Sequence, residues 1–521
     1  MQKFIEKHRS QVVGVLSGWD RVRFRGSFRV LSVVAGLFTW LHEQNVLLKE
    51  FKGFALLLTA RLKESVESVA ASAGRKIQYL ASSALSKEAL VEELLRREQI
   101  EQGLVCVFSC VEPCRSFDIH CDSDKKLIDL VSSLRKCLHW YLYFMHPVWG
   151  LCHIRIQSWL PFTVHVCING REWLCRELTT AGVGFQRRDN CLIEVADQAR
   201  AQQILDAQPW AHWSDDLQAL LQEACPALCQ LTMRGAPLRH YWSAQETEWA
   251  TDVMFRSPSA LAKLYPALIR HGISTFSSPD VMRFLGRRRF CKGEVDSRFD
   301  GEVVSDLKQR PEGVRIKHRM NANSIKMYDK QGSVLRVETT INDARDLRVY
   351  RASETNPQGP KSLRVLRKGV VDLPRRAEVS QSANQRYLDA MAAVDAPVPL
   401  SQTVERLAQP IATKEGRARG LHPLTGTDAQ LVEHLLRGEF TINGFRNRDL
   451  RTLMFPNKLE AEARRHSNQV GRLLRIFRMH GLIYRVKGTH RYQLSAEGRR
   501  VLPTLLAVRR VDTEKLRQLA L

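Results

Sequence analysis

The sequence lacks an apolar run long enough to cross a bilayer. Its least interrupted stretch, residues 30–41, falls well short of the roughly 20 residues that a spanning helix takes. Residues 1–8 carry no apolar core of a secretion signal. Both absences predict a cytoplasmic protein with no membrane partner. Acidic residues are scarce: 55 Asp and Glu face 79 Lys and Arg, giving 79 − 55 = +24. An excess of that size predicts a polyanionic partner, DNA first and RNA second, ahead of an anionic surface. The Cys-x-x-Cys pairs of zinc ribbons are also missing, although the chain has 12 cysteines, mostly between Cys106 and Cys229. Without a secretion signal these should be reduced thiols. Cys106, Cys110, Cys114, Cys121 and His120 are the residues that could gather around zinc. Cys106 and Cys110 sit in a strand-like run where buried free cysteine is common, so zinc is disfavoured.

What is present is enough for packed cores. Hydrophobic residues make up 44% of 521 residues, a length that suggests three or four domains. The fold class read from the pattern is α+β and multidomain: a helical N-terminal region, a central antiparallel or mixed β-sheet domain with helices, and a C-terminal winged helix. Residues 1–100 show helical periodicity at 32–44, 54–70 and 87–97, with Ser86 as a cap. Within them, residues 18–29 interleave aromatics with Arg21, Arg23, Arg25 and Arg29 at period two. That suits a phosphate-contacting strand or a solvated edge strand. Residues 101–255 read as an α+β domain. Strands are expected at 104–111, 136–144, 150–156, 162–168 and 191–195, and helices at 171–180 and 197–207. His139, His153 and His165 on adjacent strands are either metal ligands or ordinary sheet histidines. Residues 208–292 read as helical. Glu248 and Asp252, four apart, are placed on one helix face, either holding a divalent ion or simply solvated.

Residues 256–292 resemble a helix-turn-helix, with a helix over 259–271, a break at 272–274 and a second helix capped by Ser278. Arg287, Arg288 and Arg289 follow it and suit phosphate contact. Residues 293–352 continue the β-rich core with runs at 301–307, 313–319, 324–328 and 333–341. Residues 353–420 form a basic loop and a proline-bearing linker, interrupted by a helix over 377–393.

Residues 421–510 are the winged-helix candidate. A helix near 427–436 leads to a short strand at 440–445, then helices over 448–454 and 460–480. Leu473, Leu474 and Phe477 share one face of the last helix. Arg472, Arg475 and Arg478 recur every three residues on another. Gly481 stops the helix, and Arg485, Lys487 and Arg491 lie on a basic hairpin, which together suit DNA. The plainer reading is an amphipathic helix with a solvated cationic face.

The candidate chemistry lies on the hairpin 323–341. A carboxylate among lysines on a sheet can hold Mg²⁺ or Mn²⁺ while cations receive phosphate. Tyr328, Asp329, Lys330, Arg336 and Glu338 resemble a strand pair of rolling-circle replication initiators. The resemblance covers about twenty residues. It implies Glu338 and Asp329 as metal ligands and Tyr328 and Lys330 as further catalytic groups. The His-hydrophobic-His triplet of single-strand endonucleases is absent, as is a Tyr-x-x-x-Lys helix, and Tyr350 and Tyr387 are nucleophile candidates only by proximity. Strand alternation points Asp329 away from Tyr328, so a shared site needs a bent turn. The structural alternative is a salt-bridged sheet in which Glu338 pairs with Lys326 or Lys330. The whole chain resembles a bacterial family of mobile-element-like proteins with a C-terminal winged helix. These features imply a nicking or strand-transfer protein acting on DNA; the alternatives are a non-catalytic winged-helix regulator and an RNA-binding protein.

Overall fold

Alternating side chains and β-branched residues predict strands through 313–341, and the chain builds them into one large sheet. The computed structural model describes residues 1–122, 127–286, 290–291, 294–295, 301–310, 313–353, 355–394, 400–413, 416–456, 462–486 and 488–512. Arg287, Arg288, Arg289 and Lys487 lie outside them. The chain divides into two compact units, Met1–Ala396 and Pro397–Leu521.

The first unit is α+β around an eleven-stranded mixed sheet. Its strands are β1 Val12–Ser27, β2 Ile77–Tyr79, β3 Gly103–Asp122, β4 Leu127–His146, β5 Gly150–Gln157, β6 Val164–Asn169, β7 Tyr241–Phe255, β8 Val303–Arg310, β9 Gly313–Met320, β10 Asn323–Lys330 and β11 Val334–Ile341. The spatial order is β8-β9-β10-β11-β7-β1-β6-β5-β4-β3-β2. Only the β2–β3 pair is parallel among the described ladders of this sheet. The sheet therefore runs through the boundaries expected at 100, 255 and 292. Residues 1–100 are not a separate helical region, because β1 is a central strand paired to both β6 and β7.

Helices cover both faces in part. They are α1 Val34–Glu43, α2 Phe51–Ser72, α3 Lys87–Arg97, α4 Gly170–Thr180, α5 Gln198–Ala207, α6 Trp213–Ala224, α7 Pro258–Thr275, α8 Ser278–Phe284 and α9 Leu373–Met391. One face packs Trp19, Val22, Phe24 and Trp249 against α1, α2 and α6. On the same face Ile316, Ile325 and Val337 pack against α7, α8 and α9. The other face is covered at its ends. There α4 and α5 pack on Leu16, Met254 and Val334, and α3 packs on the side of Tyr141 and Tyr143.

Several sequence expectations change here. Residues 241–255 form a strand instead of a helix. The expected helix break at 272–274 lies inside α7, whose Leu261, Leu264, Leu268 and Gly272 face the core. The N-cap of α8 is Ser277, one residue before Ser278. These two helices are anchored in the body's core, so the pair is not an exposed reading head. In the basic segment, Arg376 is fully buried in α9. Among the described residues, no helix is long and apolar enough to cross a membrane.

The second unit is built from α10 Leu400–Ala408, α11 Gly426–Leu435, α12 Gly438–Asn443, α13 Asn447–Met454, α14 Ala463–Met479, β12 Ile483–Arg485, β13 Tyr492–Leu494 and α15 Ala496–Arg510. Part of the expected linker is thus ordered as α10 and a two-stranded ladder, Ile411–Thr413 with Gly416–Ala418. The short strand expected at 440–445 is mostly α12, with Phe445 alone bridging Tyr492. Asp428 is buried in α11 and accepts hydrogen bonds from Arg419 at 2.7 and 2.8 Å, and the N-cap of α11 is Thr425. Leu473, Leu474 and Phe477 pack into this unit's core with Leu431, Leu450 and Leu482. Gly481 leaves α14 at φ +72°, a conformation that suits glycine.

Candidate functional site

A β-bulge creates the site. Trp19 pairs with Trp249 and Arg21 with Glu248, so Asp20 is an extra residue in β1. A bulge kinks its strand and re-aims a side chain. It brings Asp20 onto the face that also carries Arg21, Glu248 and Glu338. Gly170, the first residue of α4, sits against it; a Cβ there would overlap the Trp19 carbonyl oxygen. The metal-ligating atoms of Asp20, Glu248 and Glu338 all lie within 4.8 Å of one another, and all three residues are buried.

Cations surround these carboxylates. Lys326 Nζ donates to Glu338 Oε1 at 2.6 Å and lies 3.5 Å from Glu248 Oε1. Tyr328 Oη donates to Glu338 Oε2 at 2.9 Å. Arg21 reaches Glu248 at 3.0 Å and Glu246 at 3.1 Å. Behind them Arg336 donates to Asp252 at 2.6 and 2.9 Å and to Asp20 at 2.9 Å. Arg171 reaches the same Asp252 at 3.0 Å. Asn190 donates to Asp20 at 2.9 Å. Thr340 stands opposite Glu248 in the ladder, and its hydroxyl is buried without a partner among the described residues.

The environment pushes the carboxyls apart. Burial pushes Glu338 up, but the charge and hydrogen bond of Lys326, with Arg336 and Tyr328, outweigh it and hold it below the usual range. Burial raises Glu248, and Glu338 raises it further against Lys326 and Arg21. Burial likewise raises Asp20, against the opposing charge of Arg336. Three carboxylates with two of them raised are a set that favours a proton or a cation among them. Oxygen ligands of this kind suit hard divalent ions. Burial and Glu338 together push the Tyr328 phenol well above its ordinary value, so Tyr328 is a hydrogen-bond donor here and a poor nucleophile.

The sequence-expected residues separate accordingly. Glu338 is in the cluster, and its pairing with Lys326 is the salt bridge anticipated for the hairpin. Asp329 is not in the cluster: it stands opposite Leu335, a core residue of the other face, as strand alternation requires. Asp329 instead helps wall a cavity of 140 Å³ with Arg310, Arg315, Lys326, Tyr328 and Lys330. Lys330 pairs with Asp189 at 2.7 Å instead of Glu338. Asp252, grouped with Glu248 on a supposed helix, is held by Arg336 and Arg171. Asp20 was missed, because alternation from Arg21 and Arg23 places it on the opposite face and no local signal marks the bulge.

A second cluster joins Cys114, Cys137 and His139, whose ligand atoms also lie within 4.8 Å of one another. The two sulfurs are 3.2 Å apart, and the hydrogen bond between them draws the Cys137 thiol down to about 5 against the opposing effect of burial. It uses one cysteine of the set considered for zinc; Cys106 and Cys110 pack with Tyr141 and Tyr143, and Cys121 is exposed. His153 and His165 do not join His139 in a ligand cluster among the described residues. Burial lowers them to about 4 and about 3.

In the second unit Arg472 and Arg475 are exposed on α14, and Arg478 is half-buried. A cavity of 430 Å³ is lined by Arg419, Gln430, Gln469, Arg472 and Ile476, among others. Arg485 donates to the Thr489 carbonyl at 2.9 Å, bracing the turn after β12, and Arg491 is half-buried.

No family model matches the chain, and neither a curated protein nor a solved structure matches it.

Proposed function

We propose that this chain is a DNA-processing protein of the mobile-element kind. In this reading Asp20, Glu248 and Glu338 hold a Mg²⁺ or Mn²⁺ ion for phosphodiester nicking or strand transfer. The observation that carries it is the buried three-carboxylate cluster, with two raised carboxyls, set in a basic sheet face. Thr340 supplies a further oxygen beside it. A divalent ion there would neutralise charge on a phosphate and lower the pKa of an attacking water or hydroxyl. Lys326 and Arg315 line the adjoining cavity and are placed to meet phosphate oxygens. The test is cleavage of single-stranded or supercoiled DNA, expected with Mg²⁺ or Mn²⁺ and absent with chelator. Sequence-selective duplex binding with no cleavage under either metal would instead make the protein a regulator.

The metal reading also predicts a pH signature. Asp20 and Glu248 have raised folded-state pKa values. The stability they contribute is present below the ordinary carboxylate range and is lost as pH rises through those raised values. A cation replaces the missing protons, so Mg²⁺ or Mn²⁺ should raise the melting temperature more at about pH 8 than at about pH 5.5. A metal effect that is equal at both, or zero, removes the cluster as a cation site.

The second unit is read as a winged helix, with α14 entering the groove and the β12–β13 hairpin as its wing. Its support is the order of helices and strands together with the exposed Arg472 and Arg475. Arg472→Ala/Arg475→Ala should weaken duplex binding. It should also reduce the salt slope by about 1.8, from roughly 0.9 for each phosphate that is no longer neutralised. An unchanged slope would assign these arginines to a merely solvated face.

A further inference from the structure

The carboxylate cluster occupies only the middle of a longer polar strip on the same face. On β1, Arg23 and Arg25 continue the face of Arg21 at period two. Arg25 stands opposite His165 of β6, and His165 opposite Arg155 of β5. On the far side of the cluster, Arg315 of β9 stands opposite Tyr328. The Nε groups of Arg21, Arg25, Arg155 and Arg315 are all buried without a hydrogen-bond partner among the described residues. Unpaired buried donors are costly unless something meets them.

Charge is unbalanced in the same direction. Arg155 is matched by Glu112 at 2.7 Å, and Arg21 by Glu246 and Glu248. Arg23 stands 4.0 Å from Glu246. Arg25 has no carboxylate partner among the described residues. Burial lowers its pKa, and the like charge of Arg115 lowers it further. Arg115 itself is exposed, and its carbonyl oxygen accepts from Gln157 Nε2 at 3.2 Å, two residues along β5 from Arg155, which sets it at the edge of the strip. Among the described residues, helices pack on this face at two ends, α4 with α5 and, separately, α3, and none packs on the strip between them.

We propose that this strip carries a strand of single-stranded DNA across the sheet, with its phosphates on Arg25 and Arg115 to one side of the carboxylates and on Arg315 to the other. The inference rests on the nucleic-acid reading above and adds the path and strandedness of the substrate. From β9 to β5 there are six inter-strand steps in the sheet order, or roughly 29 Å at about 4.8 Å each. That matches the smallest single-strand sites, about four nucleotides. Arg25 and Arg315 are half-buried, so a lone backbone reaches them more readily than a duplex. Bases would be free to face away, which predicts little sequence preference on this surface.

The test is fluorescence anisotropy of the full chain with a labelled oligothymidine, in chelator. Binding should be measurable without metal, so loss of the cleavage reading would leave this result untouched. Arg25→Gln/Arg115→Gln should weaken it by about tenfold or more and reduce the salt slope by about 1.4, from 2 × 0.7. Arg115→Gln alone, at an exposed position, should reduce the slope by about 0.7 and guards against a folding defect in the double variant. The Arg472→Ala/Arg475→Ala protein should keep oligothymidine binding. Unchanged affinity in the Arg25/Arg115 variants, loss in the Arg472/Arg475 protein, or clear preference for duplex or for single-stranded RNA would each overturn the proposal.

Discussion

Glu338→Gln is expected to abolish metal-dependent cleavage while the fold persists. The amide has nearly the same shape, so β11 keeps its packing. Its oxygen can still accept one hydrogen bond, from Tyr328 or from Lys326. The missing charge removes the most acidic ligand of the three, the one that Lys326, Arg336 and Tyr328 hold ionised against burial. Cleavage should fall by at least about a hundredfold, the scale for losing a preorganised electrostatic partner at a reacting phosphate. The metal-induced rise in melting temperature should vanish with it. Oligothymidine binding in chelator should be retained, which separates a catalytic loss from a folding loss. Asp329→Asn should keep the metal-induced rise in melting temperature, because Asp329 is not among the three clustered carboxylates. Normal cleavage by Glu338→Gln would remove the cluster from the mechanism.

Arg336→Met should be the most destabilising single change near the site. Arg336 is 1% exposed, makes a two-pronged contact with Asp252 and also donates to Asp20. Removing it leaves Asp20 with Asn190 and a distant Arg171 contact at 4.0 Å. Breaking a buried ion pair by deleting one partner costs about 3–5 kcal/mol. Urea unfolding should report that loss as a lower midpoint. The pH dependence carries the sign. Burial pushes Asp252 up, but Arg336 and Arg171 hold it below its usual range. Its stabilisation is therefore present above the unfolded carboxylate range and disappears as pH falls through the depressed folded value. The gap between wild type and Arg336→Met should shrink as the medium becomes acid. A constant gap would mean that packing of the arginine stem, and not its charge, supports the fold.

Much of the fold was legible residue by residue. The strands of 303–341 and the helix Lys87–Arg97 follow from period-two and period-3.6 patterns, and Ser86 caps that helix by accepting from Ala89 at 3.2 Å. The segment 241–255 was not legible. Residues 247–255 are buried on both faces of the sheet, so no alternation survives, and Glu248 and Asp252 four apart imitate a helix face. Likewise Phe440 signals only burial, which α12 satisfies as well as a strand would.

The composition determined the net charge: +24 is carried wherever its charges fall, and it is this excess that made a polyanion the expected partner. Local patterning determined the arginine stripe of α14, its glycine stop, and the reach of Lys326 to Glu338 across a two-strand pair. Only the tertiary structure decided which carboxylates meet. Asp20, Glu248 and Glu338 come from three strands far apart in sequence, joined by long-range pairing and by one extra residue in β1. A bulge shifts the phase of every side chain after it, and which residue forms it is settled by the partner strand's register. That register, between Trp19 and Trp249 on one side and Arg21 and Glu248 on the other, is a property of the assembled sheet.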